Sequence, residues 1–142
     1  MKKMLLLLIA LMMCISLCCC GISDEDLAEA VEQLEIAERN LNNAASELAN
    51  NWSTYGDTFE KNIENSRVRN FTTNLDKAKE LLGSNGSGDY YNAVKKYYAA
   101  VKAYHSFLCE DPIGYTGLTY TMAISEHKSK CAEARSDLSF YE

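Results

Sequence analysis

Apolar residues recur at alternating steps of four and three from Leu27 to Phe59, and this spacing restricts the fold more than any other feature of the chain. Leu27, Val31, Leu34, Leu41, Ala45, Leu48, Trp52, Tyr55 and Phe59 keep the rhythm; Glu38 interrupts it, with Ala37 beside it. About five heptads of this kind put the apolar side chains on one stripe of a long α-helix. Ser23-Asp24-Glu25-Asp26 starts that helix, because Ser caps free amides and acids in the first turn complement the helix dipole. The stretch Asn50-Asn51-Trp52-Ser53-Thr54-Tyr55-Gly56 consists of poor helix formers, so a kink or break is expected there.

The same spacing returns twice downstream. Residues 60–70 are polar, and the rhythm resumes at Phe71, Leu75, Ala78 and Leu82. Gly83-Ser84-Asn85-Gly86-Ser87-Gly88 then reads as a helix–helix turn. The segment after it repeats every seven residues. Tyr90, Val94, Tyr97, Val101, Tyr104 and Leu108 form its seam, with Ala93, Ala100 and Phe107 on one flank and Tyr91, Tyr98 and His105 on the other. A stripe that wide must touch two neighbouring helices. Asp111 to Thr121 is a loop containing Pro112, the single proline of the chain. A last helix beginning between Thr119 and Ser125 has the seam Ile124, His127, Cys131, Ala134, Leu138 and Tyr141. The expected fold is all-α: an antiparallel bundle of three to four helices with one long N-terminal helix. Its principal core residues are Leu34, Leu41, Leu48, Leu75, Val94, Tyr97, Val101, Ile124 and Leu138.

Gly88-Asp89-Tyr90-x-x-Ala93-Val94-x-x-Tyr97-x-x-Ala100-Val101 resembles the second helix of a tetratricopeptide repeat. The resemblance covers about residues 72–103 in one copy. It implies a helical hairpin whose small Ala residues permit close packing. A stacked peptide-binding array needs about three copies, so no solenoid is implied.

The N-terminus reads as an export signal. Met1-Lys2-Lys3 is basic, Met4 to Leu17 is apolar apart from Ser16, and Cys18-Cys19-Cys20-Gly21 follows. Leu17-Cys18-Cys19-Cys20 resembles the lipobox of prokaryotic lipoprotein signal peptides. That resemblance implies a lipid on Cys20, or on Cys19 with Ser16 three residues before it. The alternative is a retained anchor, since Met4 to Ile22 is 19 uncharged residues, enough to span a bilayer. Residues 1–20 are thus a signal or anchor and 21–142 a single helical domain. The expected location is exported, tethered to the outer side of the cytoplasmic membrane or to the outer membrane. After residue 20 the chain has twelve basic against twenty acidic residues, a net −8. That charge argues against a nucleic-acid partner.

Few residues point to chemistry. His105 and His127 each precede a cysteine, Cys109 and Cys131, by four positions. Four apart on a helix is one face, so two such pairs could supply a Cys2His2 zinc set. In an exported chain two cysteines more often form a disulfide, and Cys109–Cys131 is the preferred reading. The register of the last two helices decides: a turn centred near residue 120 brings the thiols together, and one centred near 115 keeps them apart. Asn51, Asn70 and Asn85 stand in Asn-x-Ser/Thr triplets and are glycosylation candidates. The five tyrosines at 90, 91, 97, 98 and 104 read as core with hydroxyls reaching the surface, or as the lining of a ligand groove. Glu25, Glu29, Glu32, Glu35 and Glu38 read as a solvated helix face.

No nucleophile elbow, zincin helix, nucleotide loop or calcium loop is present. The chain therefore reads as a non-enzymatic helical protein, without a cofactor, that presents a surface to a protein partner in the cell envelope. The alternative is a small ligand- or metal-binding module built on the Tyr-rich helix or on His105, Cys109, His127 and Cys131. An enclosed apolar cavity beside Tyr90, Tyr97 and Tyr104 favours the second; a solid core with an exposed apolar patch favours the first.

Overall fold

The computed structural model describes residues 21–54, 66–110 and 112–141. Among these residues the secondary structure is entirely helical. The four α-helices are α1 (Asp24–Asn50), α2 (Ser66–Leu82), α3 (Asp89–Cys109) and α4 (Gly117–Ser136). Short 3-10 turns follow α1 at Trp52–Thr54 and α4 at Asp137–Phe140. Residues 1–20, with Cys19 and Cys20, lie outside the described residues, as do Tyr55 and Phe59 and the side chains of Asn70 and Phe71. Among the described residues no helix is long and apolar enough to cross a membrane.

Local chemistry sets the helix ends. The Ser23 hydroxyl accepts from the Asp26 N–H at 3.1 Å, and the Asp26 carboxylate accepts from the Ser23 N–H at 3.4 Å, a reciprocal cap. At the other end Asn51 donates both its backbone N–H and its side-chain amide to the Glu47 carbonyl, and α1 stops. The expected break thus falls at Asn50. Thr116 and Thr119 form a second reciprocal cap at the start of α4, earlier than the Thr119–Ser125 window. Gly88, with φ 105, turns the chain into α3 where an L side chain would be strained. Gly86 is required for space: a Cβ there would collide with the Tyr91 ring and with Ile22.

Contacts between helices give the topology. Asn74 donates to Gln33 at 2.6 Å and Lys77 pairs with Glu29 at 2.6 Å, so α2 runs antiparallel to α1. Tyr97 meets Glu38 and Tyr104 meets Asn42, so α3 runs parallel to α1. Tyr90 stacks on Tyr141, Lys96 pairs with Asp137, and Phe107 packs on Tyr120, so α4 returns antiparallel to α3. The result is an up-down-up-down bundle. α1 and α3 touch each other and both remaining helices, which accounts for the wide apolar stripe of α3.

All nine principal core residues expected from the spacing are buried. Ala30, Ala37, Ala45 and Ala78 are fully buried as well, and their small size lets the axes approach. Three details differ from the expectation. Tyr91, placed on a flank, is buried, while Tyr90 is half-exposed and stacks on Tyr141. Glu38 is buried and does not belong to the solvated acidic face. The hydroxyls of Tyr97 and Tyr104 bond to partners on α1 and do not reach out to water as their spacing suggested.

Candidate functional site

Glu38 anchors a polar notch in the side of the bundle. It takes a core position of α1 with only 4% of its surface exposed. Its Oε2 accepts from the Tyr97 hydroxyl at 2.5 Å and from Arg135 Nη1 at 3.1 Å, which links α1, α3 and α4 through one oxygen. A buried carboxylate needs such partners, because unpaired burial of a charge is prohibitive. Burial, then the bond to Glu38, raises the Tyr97 hydroxyl far above its usual range, so it remains a donor. Above this contact lies an open groove of about 420 Å³ lined by Glu35, Glu38, Arg39, Asn42, Asn43 and Arg135. The lining holds acid, base and amide, but neither a thiol nor a histidine. Its deepest group is tied into the core.

The histidines and cysteines occupy two separate places. His105 Nε2 lies 3.6 Å from Cys109 Sγ, as the spacing of four predicts. His127 instead stacks between aromatic rings, with centroids 4.7 Å from Phe107 and 5.6 Å from Tyr104. Cys131 is fully buried, and burial pushes its thiol up to about 12. Both thiols are free, so the expected Cys109–Cys131 disulfide is not made. The reason is register. The α3–α4 contacts named above pair residues whose numbers sum to about 231, so Cys131 faces the chain near residue 100. Cys109 is then displaced by roughly two and a half turns, or about 13 Å at 1.5 Å per residue. No disulfide spans that distance. The same displacement breaks up the four-residue zinc set of His105, Cys109, His127 and Cys131. Among the described residues no three of the metal-ligating types converge.

Burial, followed by the charge of Lys130, holds His127 below its ordinary value; Glu126 and Glu110 oppose the shift weakly. Its Nδ1 is buried without a hydrogen-bond partner. A histidine with a folded-state pKa below its unfolded value is protonated first in the unfolded chain. Its contribution to stability is therefore fully present above the unfolded value of about 6.5 and is lost progressively as pH falls from there through the lower folded-state value. The melting temperature followed by circular dichroism should hold above about pH 6.5 and fall as pH is lowered below it. His127→Phe, which keeps the ring stack, should reduce that drop and leave the part that His105, lowered by burial in the same direction, contributes; an unchanged slope would assign it to other groups.

A third feature lies at the end of the bundle where α1 stops and α3 turns into α4. Ile113, Leu118 and Met122 are 84%, 72% and 63% exposed, and Tyr115 lies beside them in the same turn. Leu118 and Met122 are one turn apart, on the opposite side of α4 from Tyr120, Ile124 and Cys131, which face the core. Apolar residues thus lie on both faces of α4. Beneath them Trp52 packs on Tyr120 at 4.5 Å and fills the space beside Gly117, so the tip has a firm aromatic base.

Of the glycosylation candidates, Asn85 is exposed in the α2–α3 turn, and Asn51 is exposed but uses its amide at the end of α1. Sequence reasoning missed Glu38, Arg135 and the tip. Glu38 had a signal, since a charged residue stood where the rhythm required Leu. Leu118 and Met122 had a weaker one, an apolar pair out of phase with its own helix seam. Arg135 had none. No family model matches this chain, and no curated protein or solved structure is significantly similar to it.

Proposed function

We propose that this chain is an exported, membrane-tethered helical module that presents an interaction surface at the end of the bundle farthest from its tether. The observation that carries the reading is the exposed cluster of Ile113, Leu118 and Met122 on a rigid base. Exposed apolar groups gathered at one place are the mark of a contact surface rather than of a catalytic one. Position supports it. Residue 21, where the expected tether joins, lies at the start of α1. The patch lies beyond the other end of this 27-residue helix, a reach of about 40 Å. The core supports it as well, because Tyr97 and Tyr104 are fully buried and their hydroxyls are engaged, so the Tyr-rich helix is occupied with packing.

The test is a photo-cross-linking amino acid placed at position 118 of the full chain in its own membranes, with position 79 on α2 as control. A discrete adduct at 118 that is absent at 79, and lost on adding Met122→Glu, is the expected result. No adduct at 118, or the same adduct at both positions, would reject the reading. Fatty-acid labelling tests the tether separately: label on the wild type and none on Cys19→Ser/Cys20→Ser is expected, and an unlabelled wild type rejects the lipid.

A further inference from the structure

We propose that His105 and Cys109 form a two-point binding site for a thiophilic divalent cation of the zinc type, its remaining positions filled by water. The ground is geometric. A tetrahedral ion with sulfur at about 2.3 Å and nitrogen at about 2.0 Å holds those two atoms about 3.5 Å apart. The pair already stands at 3.6 Å, one helical turn apart on a single face of α3. Binding requires no rearrangement of the backbone. Both side chains are half-exposed, so an ion arriving from solvent can reach them and keep part of its hydration shell.

The surroundings suit a cation. The Asp76 carboxylate of α2 acts electrostatically on the His105 ring, and the same negative charge favours a cation there. Tyr120 is 1% exposed and its hydroxyl has no partner. Cys109 lies near enough to act electrostatically on that hydroxyl. When the sulfur–metal bond forms, the S–H bond breaks and the proton leaves to water. His127 and Cys131, on the other helix, take no part.

Cobalt(II) is the probe, because bonding to a thiolate gives it a near-ultraviolet charge-transfer band. The full chain is used in detergent with Cys14→Ser, Cys18→Ser, Cys19→Ser and Cys20→Ser, which leaves Cys109 and Cys131 as its thiols. One equivalent of cobalt is expected to give the band and zinc to remove it. Cys109→Ser should abolish the band, and His105→Gln should weaken binding at least about tenfold, since one of only two protein ligands is gone. Cys131→Ser should leave it unchanged. No band at millimolar cobalt, or a band that survives Cys109→Ser, overturns the proposal. Alkylation of Cys109 in the native chain gives a second readout that needs no variant at these positions. Zinc should slow it at least about tenfold, because only the free thiolate reacts; equal rates with and without zinc also overturn the proposal.

Discussion

Glu38→Leu is expected to lower stability by about 2–4 kcal/mol, far more than its size or its place among surface-type residues suggests. The Tyr97 hydroxyl is fully buried and donates to Glu38. Without that acceptor it becomes an orphaned buried donor, which costs about 1–3 kcal/mol, and the branched leucine adds strain in a packed site. Arg135 contributes less, because 46% of its side chain is exposed and water can replace the lost partner. Tyr97→Phe alone should cost about 1–2 kcal/mol, since Glu38 keeps Arg135. The double variant Glu38→Leu/Tyr97→Phe should be more stable than Glu38→Leu, because replacing both members of a buried pair removes the orphan. Urea titration at constant slope measures all three. A Glu38→Leu chain within about 0.5 kcal/mol of the wild type would show that water already reaches the Tyr97 hydroxyl.

The core prediction is larger in sum. Leu34 and Leu41 are fully buried on α1, the helix in contact with every other. Each change to Ala should cost about 2–5 kcal/mol through lost transfer energy and the cavity left behind. The two positions lie two turns apart, about 10 Å, so their effects should nearly add. Because a domain of this size has a total stability of only about 5–15 kcal/mol, the double variant should be largely unfolded at 37 °C. Leu118→Ala should change stability by no more than about 0.5 kcal/mol, because Leu118 is 72% exposed. Equal losses at Leu34 and Leu118 would contradict the packing. The contrast separates the two apolar populations of the chain, one that holds the bundle and one that it displays.

The legible part of this protein was its periodicity. The steps of four and three identified most of the residues of α1, α2 and α3 that face inward, although Tyr91 rather than Tyr90 enters the core. The same arithmetic placed His105 with Cys109, which do meet, but it applied equally to His127 and Cys131, where the rings of Phe107 and Tyr104 hold the imidazole instead. It misread Glu38, because composition placed it with its acidic neighbours while its register placed it with the leucines. Register prevailed: the Tyr97 hydroxyl and Arg135 arrive from two other helices and make burial tolerable.

What the sequence by itself determined, then, is what depends on position along one helix: the all-α class, the core faces, the cap at Ser23 and the placing of His105 and Cys109 on one face. Local hydrogen bonding and a 3.6-residue repeat need no knowledge of neighbours. The tertiary structure alone decided the matters that depend on how one helix slides against another. Thr116 and Thr119 start α4 early, and Tyr90, Lys96 and Phe107 then lock it to α3 in a register that separates Cys109 from Cys131. A shift of a few residues in that register moves a side chain by a full turn, about 5.4 Å, and so makes or breaks a disulfide without altering a single local propensity.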